Sequence, residues 1–317
     1  MRLVFCGTPQ FAVPSLKYLL NQPEIEVAAV ITQPDRPKGR GQEISQSPVK
    51  QVALEAGVLV HQPPKIRAPE FQPVLEALAP DAIVIIAYGQ IIPARLLTIP
   101  KLGWINLHAS LLPKYRGAAP INWAIVNGET VTGITSMRID AGMDTGDMLL
   151  QQEISIGAKE TAPELAARMS EAGASLMLKT LMGLQSGALQ PRPQDHQHAT
   201  MAPMLKKEDG RIDWNLSADQ IFNRMRGFTP WPGATTTFRG QNCQVWGEPF
   251  SAVQPIPPGH QPGALLLDQG DVYPNWLVLC GNATILRLGA VKLEGRKQIT
   301  AAEFANGARL TSGDSFR

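Results

Sequence analysis

"DAIVIIAY", residues 81–88, sets the reading of the fold. Its apolar residues run on without alternation, so a strand built from them is covered on both faces, as strands of a parallel sheet flanked by helices are. Upstream, RLVFC (2–6) and EVAAVIT (26–32) repeat the pattern. Between them residues 15–21 read as a helix, with Pro14 tolerable in the first turn. Downstream, GWINLHA (103–109), TGITSMRID (132–140) and GDMLLQQEISI (146–156) supply three more strands. Thr161-x-x-Glu164 is a capping box. It opens a helix in which Leu165, Met169, Ala172, Leu176, Thr180, Leu181 and Leu184 recur at helical spacing, one face for the sheet. Strands alternating with helices give an α/β class with a mostly parallel sheet.

The pattern changes at GALQPRPQDHQHATMAP, residues 187–203, which holds prolines and histidines but few apolar anchors and reads as a linker. Beyond it Ser217-x-x-Gln220 caps a short helix with Ile221, Phe222, Met225 and Phe228 on one side, stopped by Pro230-Trp231-Pro232-Gly233. Short β-prone runs follow at 234–239, 242–247, 263–267, 275–280 and 283–294, the spacing of a small β-barrel. The expected division is a catalytic domain at 1–189, a linker at 190–206 and a barrel at 207–317.

Composition excludes several classes. The 317 residues are 44% hydrophobic and 18% charged, and the formal net charge is +2, so any basic site must be local. Cys6, Cys243 and Cys280 are odd in number and far apart, which suits a reducing cytosol and gives no zinc or redox spacing. No apolar run approaches the ~20 residues of a membrane span. MRLVFCGTP enters a strand pattern directly, without the charged and apolar regions of a signal peptide, so a cytoplasmic protein without membrane contact is expected. GTPQFA (7–12) has neither G-x-G-x-x-G nor a P-loop lysine, which argues against dinucleotide or nucleoside-triphosphate binding. His196-x-His198 has no cysteine or carboxylate cluster nearby, and no metal is expected.

Chemistry concentrates in INLHASLLPKYRGAAPI, residues 105–121. Positions i and i+2 of a strand share a face. Asn106 and His108 are therefore neighbours, at the carboxyl end of a strand, where open α/β sheets border their ligand crevice. A glycine-rich turn, DAGMDTGD (140–147), presents Asp144 from a neighbouring strand end. An amide donor and an imidazolium N–H can stabilise a tetrahedral oxyanion, an imidazole titrates near neutrality, and a carboxylate can orient it. The set suits acyl transfer to an incoming amine without a Ser or Cys nucleophile. Spacing alone also fits a satisfied structural pair.

These residues, followed by MDTGD (143–147), resemble the signature of the 10-formyltetrahydrofolate-dependent formyltransferase family. FCGTPQFAVPSL (5–16), TQPDRPKGRG (32–41), SPVK (47–50), VIIAYGQIIP (84–93), RIDWNLSADQI (211–221) and PWPGA (230–234) are similar to the branch of that family acting on methionyl-tRNA. The resemblance covers nearly the whole chain and is weakest over 250–317. It implies a Rossmann-like formyltransferase domain followed by a smaller OB-type barrel. It implies Asn106, His108 and Asp144 as the catalytic trio, with Ser110, Leu111, Leu112 and Pro113 lining the folate pocket largely through backbone, and Gln90 and Ile91 flanking the pterin. The implied reaction moves the formyl group of 10-formyltetrahydrofolate to the α-amine of methionyl initiator tRNA, in a monomer and without a metal.

QPDRPKGRGQEISQSPVK (33–50) carries Arg36, Lys38, Arg40 and Lys50 against Asp35 and Glu43. Its composition is that of a solvated loop. The resemblance implies a loop that orders on the tRNA acceptor arm, with Arg36, Lys38 and above all Arg40 on phosphates or splayed bases. The barrel lysines and arginines add to that surface. Relatives acting on amino sugar nucleotides, or hydrolysing the formyl donor, also have a second domain; the basic loop is the feature that separates them.

Overall fold

The computed structural model describes residues 1–38, 43–251, 259–268, 275–311 and 313–317. The chain forms two compact units. The first takes Met1–Ile121, Val131–Ile156 and Glu164–Pro203, and the second takes Asn122–Thr130, Gly157–Pro163 and Met204–Arg317.

The first unit is built on a seven-stranded sheet. Its strands are β1 (Arg2–Gly7), β2 (Glu26–Ile31), β5 (Val60–His61), β6 (Ala82–Ile86), β7 (Trp104–His108), β8 (Val131–Arg138) and β9 (Met148–Ser155), in the order β5-β2-β1-β6-β7-β8-β9. The first five pair in parallel and the last two antiparallel, so the sheet is mostly parallel with a hairpin at one edge. β3 (Arg36–Lys38) and β4 (Glu43–Ser45) form a separate two-stranded hairpin. The helices of this unit are α1 (Val13–Leu20), α2 (Pro48–Glu55), α3 (Phe71–Leu78), α4 (Ala94–Leu97) and nearly all of α6 (Ala162–Gln185), while most of α5 (Pro120–Val126) belongs to the second unit.

All five residues of β6 are buried between β1 and β7, as its uninterrupted apolar run predicts. The strand stops where Ala87 and Gly89 turn into left-handed backbone, at φ +48° and +87°. Phe71, Leu75 and Leu78 of α3 join Val4, Ile31, Ile83 and Ile85 in one core cluster. α6 begins one residue after Thr161 and buries Leu165, Met169, Leu176, Leu181 and Leu184. At Gly173 a Cβ would stand 2.4 Å from Leu107 Cδ2, so a larger residue would force the Leu107 side chain, on the strand that ends in His108, to shift. The overpacking cost of any larger residue there is about 1–3 kcal/mol.

The segment read as a linker follows the first unit closely. Arg192 and Met148 exchange two backbone hydrogen bonds of 2.8 Å, and Ala202 N donates to Arg116 O at 2.7 Å. Gln194 is 5% exposed. Proline and histidine content suggests free chain, but the backbone of Arg192, Thr200 and Ala202 is hydrogen-bonded to the first unit.

In the second unit, β10 (Thr235–Phe238), β11 (Gln241–Phe250), β12 (Leu265–Asp268), β13 (Asn275–Leu279) and β14 (Ile285–Leu293) follow the order β10-β11-β14-β13-β12, and β15 (Ile299–Thr300) pairs with β14. The C-terminal residues join the two edges: Phe316 bridges Phe238 beside one edge and Ser315 bridges Ala264 beside the other. A small antiparallel barrel results. Its core stacks Trp214 on Phe316 (centroids 5.6 Å apart) and sets Phe238 edge-on to Phe304 (5.0 Å). α7 (Ala218–Gly227) starts at the Ser217–Gln220 capping box expected from sequence. α8 (Ala301–Ala308) starts at a second one, Thr300–Glu303.

Candidate active site

The first unit brings Asn106, His108 and Asp144 to one corner. Asn106 pairs with Ile85 of β6 and Met137 of β8, and His108 with Thr135 two positions on, so the two side chains share a face. Asn106 is half-buried, and its amide has no hydrogen-bond partner among the described residues. His108 is buried, and its Nε2 lies 2.8 Å from Tyr115 O. A carbonyl only accepts, so Nε2 carries a proton and Nδ1 is the nitrogen left to exchange one. Nδ1 stands 3.6 Å from Asp144 Oδ2.

Asp144 is held in left-handed backbone at φ +53°. Its Oδ2 accepts from Gly117 N at 2.9 Å. Gly117 itself needs φ +118°, and a Cβ on it would meet Ala202 O at 2.7 Å, so the residue that fixes the carboxylate is restricted to glycine twice over. Behind Asp144, Gln194 Nε2 donates to Asp144 O (2.8 Å) and Gly146 O (2.7 Å). Arg116 donates to Gln194 Oε1 from Nε (3.0 Å) and Nη2 (2.6 Å), and Nη2 also reaches His196 Nδ1 at 3.1 Å. Sequence reasoning passed over Gln194, Arg116, Gly117 and the Tyr115 carbonyl. A backbone group has no sequence signature, and Gln194 lies in a stretch whose composition suggests no structure.

The Ser110–Pro113 segment follows β7 directly. Thr135 Oγ1 donates to Ser110 O (2.6 Å) and accepts from Leu112 N (3.2 Å), while Gln151 Nε2 donates to Leu112 O (2.9 Å) and to Thr135 Oγ1 (3.1 Å). Ser110 Oγ donates to Lys114 O at 2.6 Å. These hydrogen bonds secure the shape of the segment expected to line the folate pocket.

Gln90 and Ile91 lie just past β6, the parallel neighbour of β7. The Gln90 amide is occupied: Oε1 accepts from Ile66 N at 2.7 Å, and Nε2 reaches Pro63 O at 3.3 Å. Thr8 Oγ1 donates to Tyr88 O at 3.1 Å and braces the same loop. Ile91 is 87% exposed.

Of the basic residues, Arg36 is exposed on the β3–β4 hairpin and Lys38 closes its strand, while Arg40 falls outside the described residues. Lys50 is committed elsewhere. Its Nζ lies 2.5 Å from Asp35 Oδ2, and Gln62 Nε2 donates to Asp35 Oδ1 at 2.8 Å. These hydrogen bonds from Lys50 and Gln62 hold the Asp35 carboxyl below the usual range. Among the described residues no group of three or more His, Cys, Asp or Glu could hold a metal. Nor is any described helix long and apolar enough to cross a membrane.

Two family models match: formyl transferase over residues 1–181, and the formyl transferase C-terminal domain over 204–309. The chain is 53% identical over 317 residues to a methionyl-tRNA formyltransferase of Solibacter usitatus, covering 100% of this chain and 98% of the relative. It is 49% identical to that of Geobacter metallireducens, covering 99% and 97%. Among solved structures, the sugar 3N-formyltransferase WlaRD, crystallised with dTDP and 5-N-formyl-THF, superposes with a TM-score of 0.62 at 17% identity, over 94% of this chain and 99% of that one. HypX of Aquifex aeolicus in complex with tetrahydrofolic acid superposes with a TM-score of 0.62 at 16% identity, over 96% and 47%.

Proposed function

Because the chain belongs to the family of methionyl-tRNA formyltransferases, we propose that Asn106, His108 and Asp144 perform its formyl transfer at the end of β7. The protein formylates methionyl initiator tRNA with a folate donor. The donor proposed is 10-formyltetrahydrofolate, a co-substrate consumed in each turnover, with no metal involved. The observation that carries the reading is the imidazole–carboxylate pair, 3.6 Å apart, beside a strand-end amide unpartnered among the described residues, in a chain that covers 98% of a methionyl-tRNA formyltransferase at 53% identity.

The α-amine of the methionyl ester attacks the formyl carbon, a C–N bond forms, and the bond from that carbon to the folate nitrogen breaks. Asn106 offers its amide N–H to the oxygen that becomes negative, a donor that no other described residue takes up. His108 holds or takes a proton at Nδ1, since Nε2–H is committed to Tyr115 O. Asp144 orients the imidazole from 3.6 Å while the proton passes from the amine towards the departing nitrogen. Ser110–Pro113 gives the pocket a fixed wall. Ile91 offers an apolar surface that fits the flat ring of the donor, and the Gln90 amide braces the loop that presents it. Arg36, Lys38 and Arg40 contact tRNA phosphates or bases.

Incubation with 10-formyltetrahydrofolate and methionyl initiator tRNA should yield formylmethionyl-tRNA, with a dTDP-amino sugar as the competing acceptor. Formylation of the sugar but not of the tRNA would overturn the reading, and would move the chain's chemistry towards the sugar enzymes whose fold it shares.

A further inference from the structure

Both groups that touch the His108 imidazole are held in turn by residues 192–202. On one side is Tyr115 O. Tyr115 sits in left-handed backbone at φ +61°, its N donates to Thr200 Oγ1 at 2.9 Å, and Arg116 N donates to Thr200 O at 2.8 Å. On the other side is Asp144, whose turn is held by Gln194. The Gln194 amide has a single possible orientation, because both carbonyls it meets can only accept and the guanidinium it meets can only donate. Its two hydrogens go to Asp144 O and Gly146 O, and its oxygen takes two from Arg116. Nothing is left over for a substrate. Gln194 and Arg116 are 5% and 6% exposed, and a charge taken this far out of water is costly unless its donors are used. Here two of those donors aim one amide.

We propose that Gln194 is a positioning residue for formyl transfer: clamped by Arg116, it locks the left-handed turn at Asp144 so that the carboxylate meets His108 Nδ1. The proposal rests on the reading above that His108 and Asp144 handle the proton. Gln194 acts only through Asp144. It sets where the carboxylate stands and leaves the binding of either substrate alone.

Two variants separate its contacts. Gln194→Met removes both at similar length. Gln194→Glu keeps the acceptor facing Arg116 and replaces the donor to the turn with a carboxylate oxygen that the two carbonyls repel, so it retains a partner for the buried guanidinium should the methionine variant fail to fold. Each is made in the full chain, with and without Asp144→Asn, and kcat and KM are measured for formylation of methionyl-tRNA. Misplacing a catalytic group by ~1 Å costs roughly 10²-fold, so kcat should fall about 10- to 100-fold. KM for each substrate should move less than about threefold, and in the Asp144→Asn background either variant should cost less than about threefold more. Retention of the full loss in that background, or an unchanged kcat in the parent, would overturn the proposal. If Asp144→Asn alone leaves kcat at the parent level, the proposed proton-handling pair fails, and the positioning role with it. If Asp144→Asn is impaired and the Gln194 variants are not, the positioning role alone fails.

Discussion

At the end of β7, the imidazole and the carboxylate beside it both rest on protein partners: Nε2 on Tyr115 O, Oδ2 on Gly117 N. In the β3–β4 hairpin the situation is reversed. The Arg36 side chain is exposed and makes no hydrogen bond or ion pair among the described residues, while Lys50 is held by Asp35 at the base. The contrast suits the roles proposed for the two regions. A group that handles a proton must be aimed before substrate arrives, because reorganising it during the reaction adds to the barrier. A group that binds phosphate must keep its donors spare, because affinity comes from exchanging water and counterions for the phosphate.

The comparison can be broken most directly at His108. His108→Ala should lower kcat by roughly 10²- to 10⁴-fold while leaving folate affinity nearly intact. Stopped-time formylation assays and equilibrium binding of a folate analogue measure the two separately, and equal activity would remove the imidazole from the chemistry. A smaller effect is expected at Thr135, whose hydroxyl ties Ser110 O, Leu112 N and the Gln151 amide together. Thr135→Val leaves buried polar groups unpaired and should cost about 1–3 kcal/mol of stability. Thermal unfolding should show that loss, and KM for the formyl donor should rise with it.

The basic stretch 33–50 should respond through binding rather than through kcat. Arg40→Ala is expected to leave kcat at saturating tRNA close to the parent and to weaken binding. It should also reduce the slope of log affinity against log salt by about one. An unchanged slope would put Arg40 off the phosphates. The smallest effect belongs to Asp35→Asn, which should cost about 1 kcal/mol, as the loss of charge-assisted hydrogen bonds from Lys50 and Gln62 does. The Asp35 carboxyl titrates below its unfolded value, so this contribution is present above that value and is lost as pH falls through the folded one. Parent and variant should therefore converge in unfolding temperature in acid.

The parts of the site carried by side chains in a period were legible in sequence. Asn106 and His108 stand two apart on a strand whose apolar neighbours fix its faces, and the glycines around Asp144 announce a turn. The sheet was legible for the same reason, because β6 could be nothing but a covered strand. Tyr115 O and Gly117 N were not legible, since every residue has a carbonyl and nearly every one an N–H. Gln194 was not legible either. Its partners lie 48, 50 and 78 positions away, and no local pattern reports contacts at that range. Gln90 was placed near the right edge of the sheet, but its amide braces residues 63–66, a job that only the folded loop defines.

The stretch from 192 to 202 bears on how this enzyme can be dissected. A catalytic fragment cut at the last turn of α6, or at residue 189, would contain Asn106, His108 and Asp144 and still lack Gln194 and Thr200. A fragment or a chimera with another barrel should keep the native chain through Pro203, where the first unit ends. A shorter piece that binds folate yet transfers no formyl group would be missing a clamp, and its silence would say nothing about tRNA recognition.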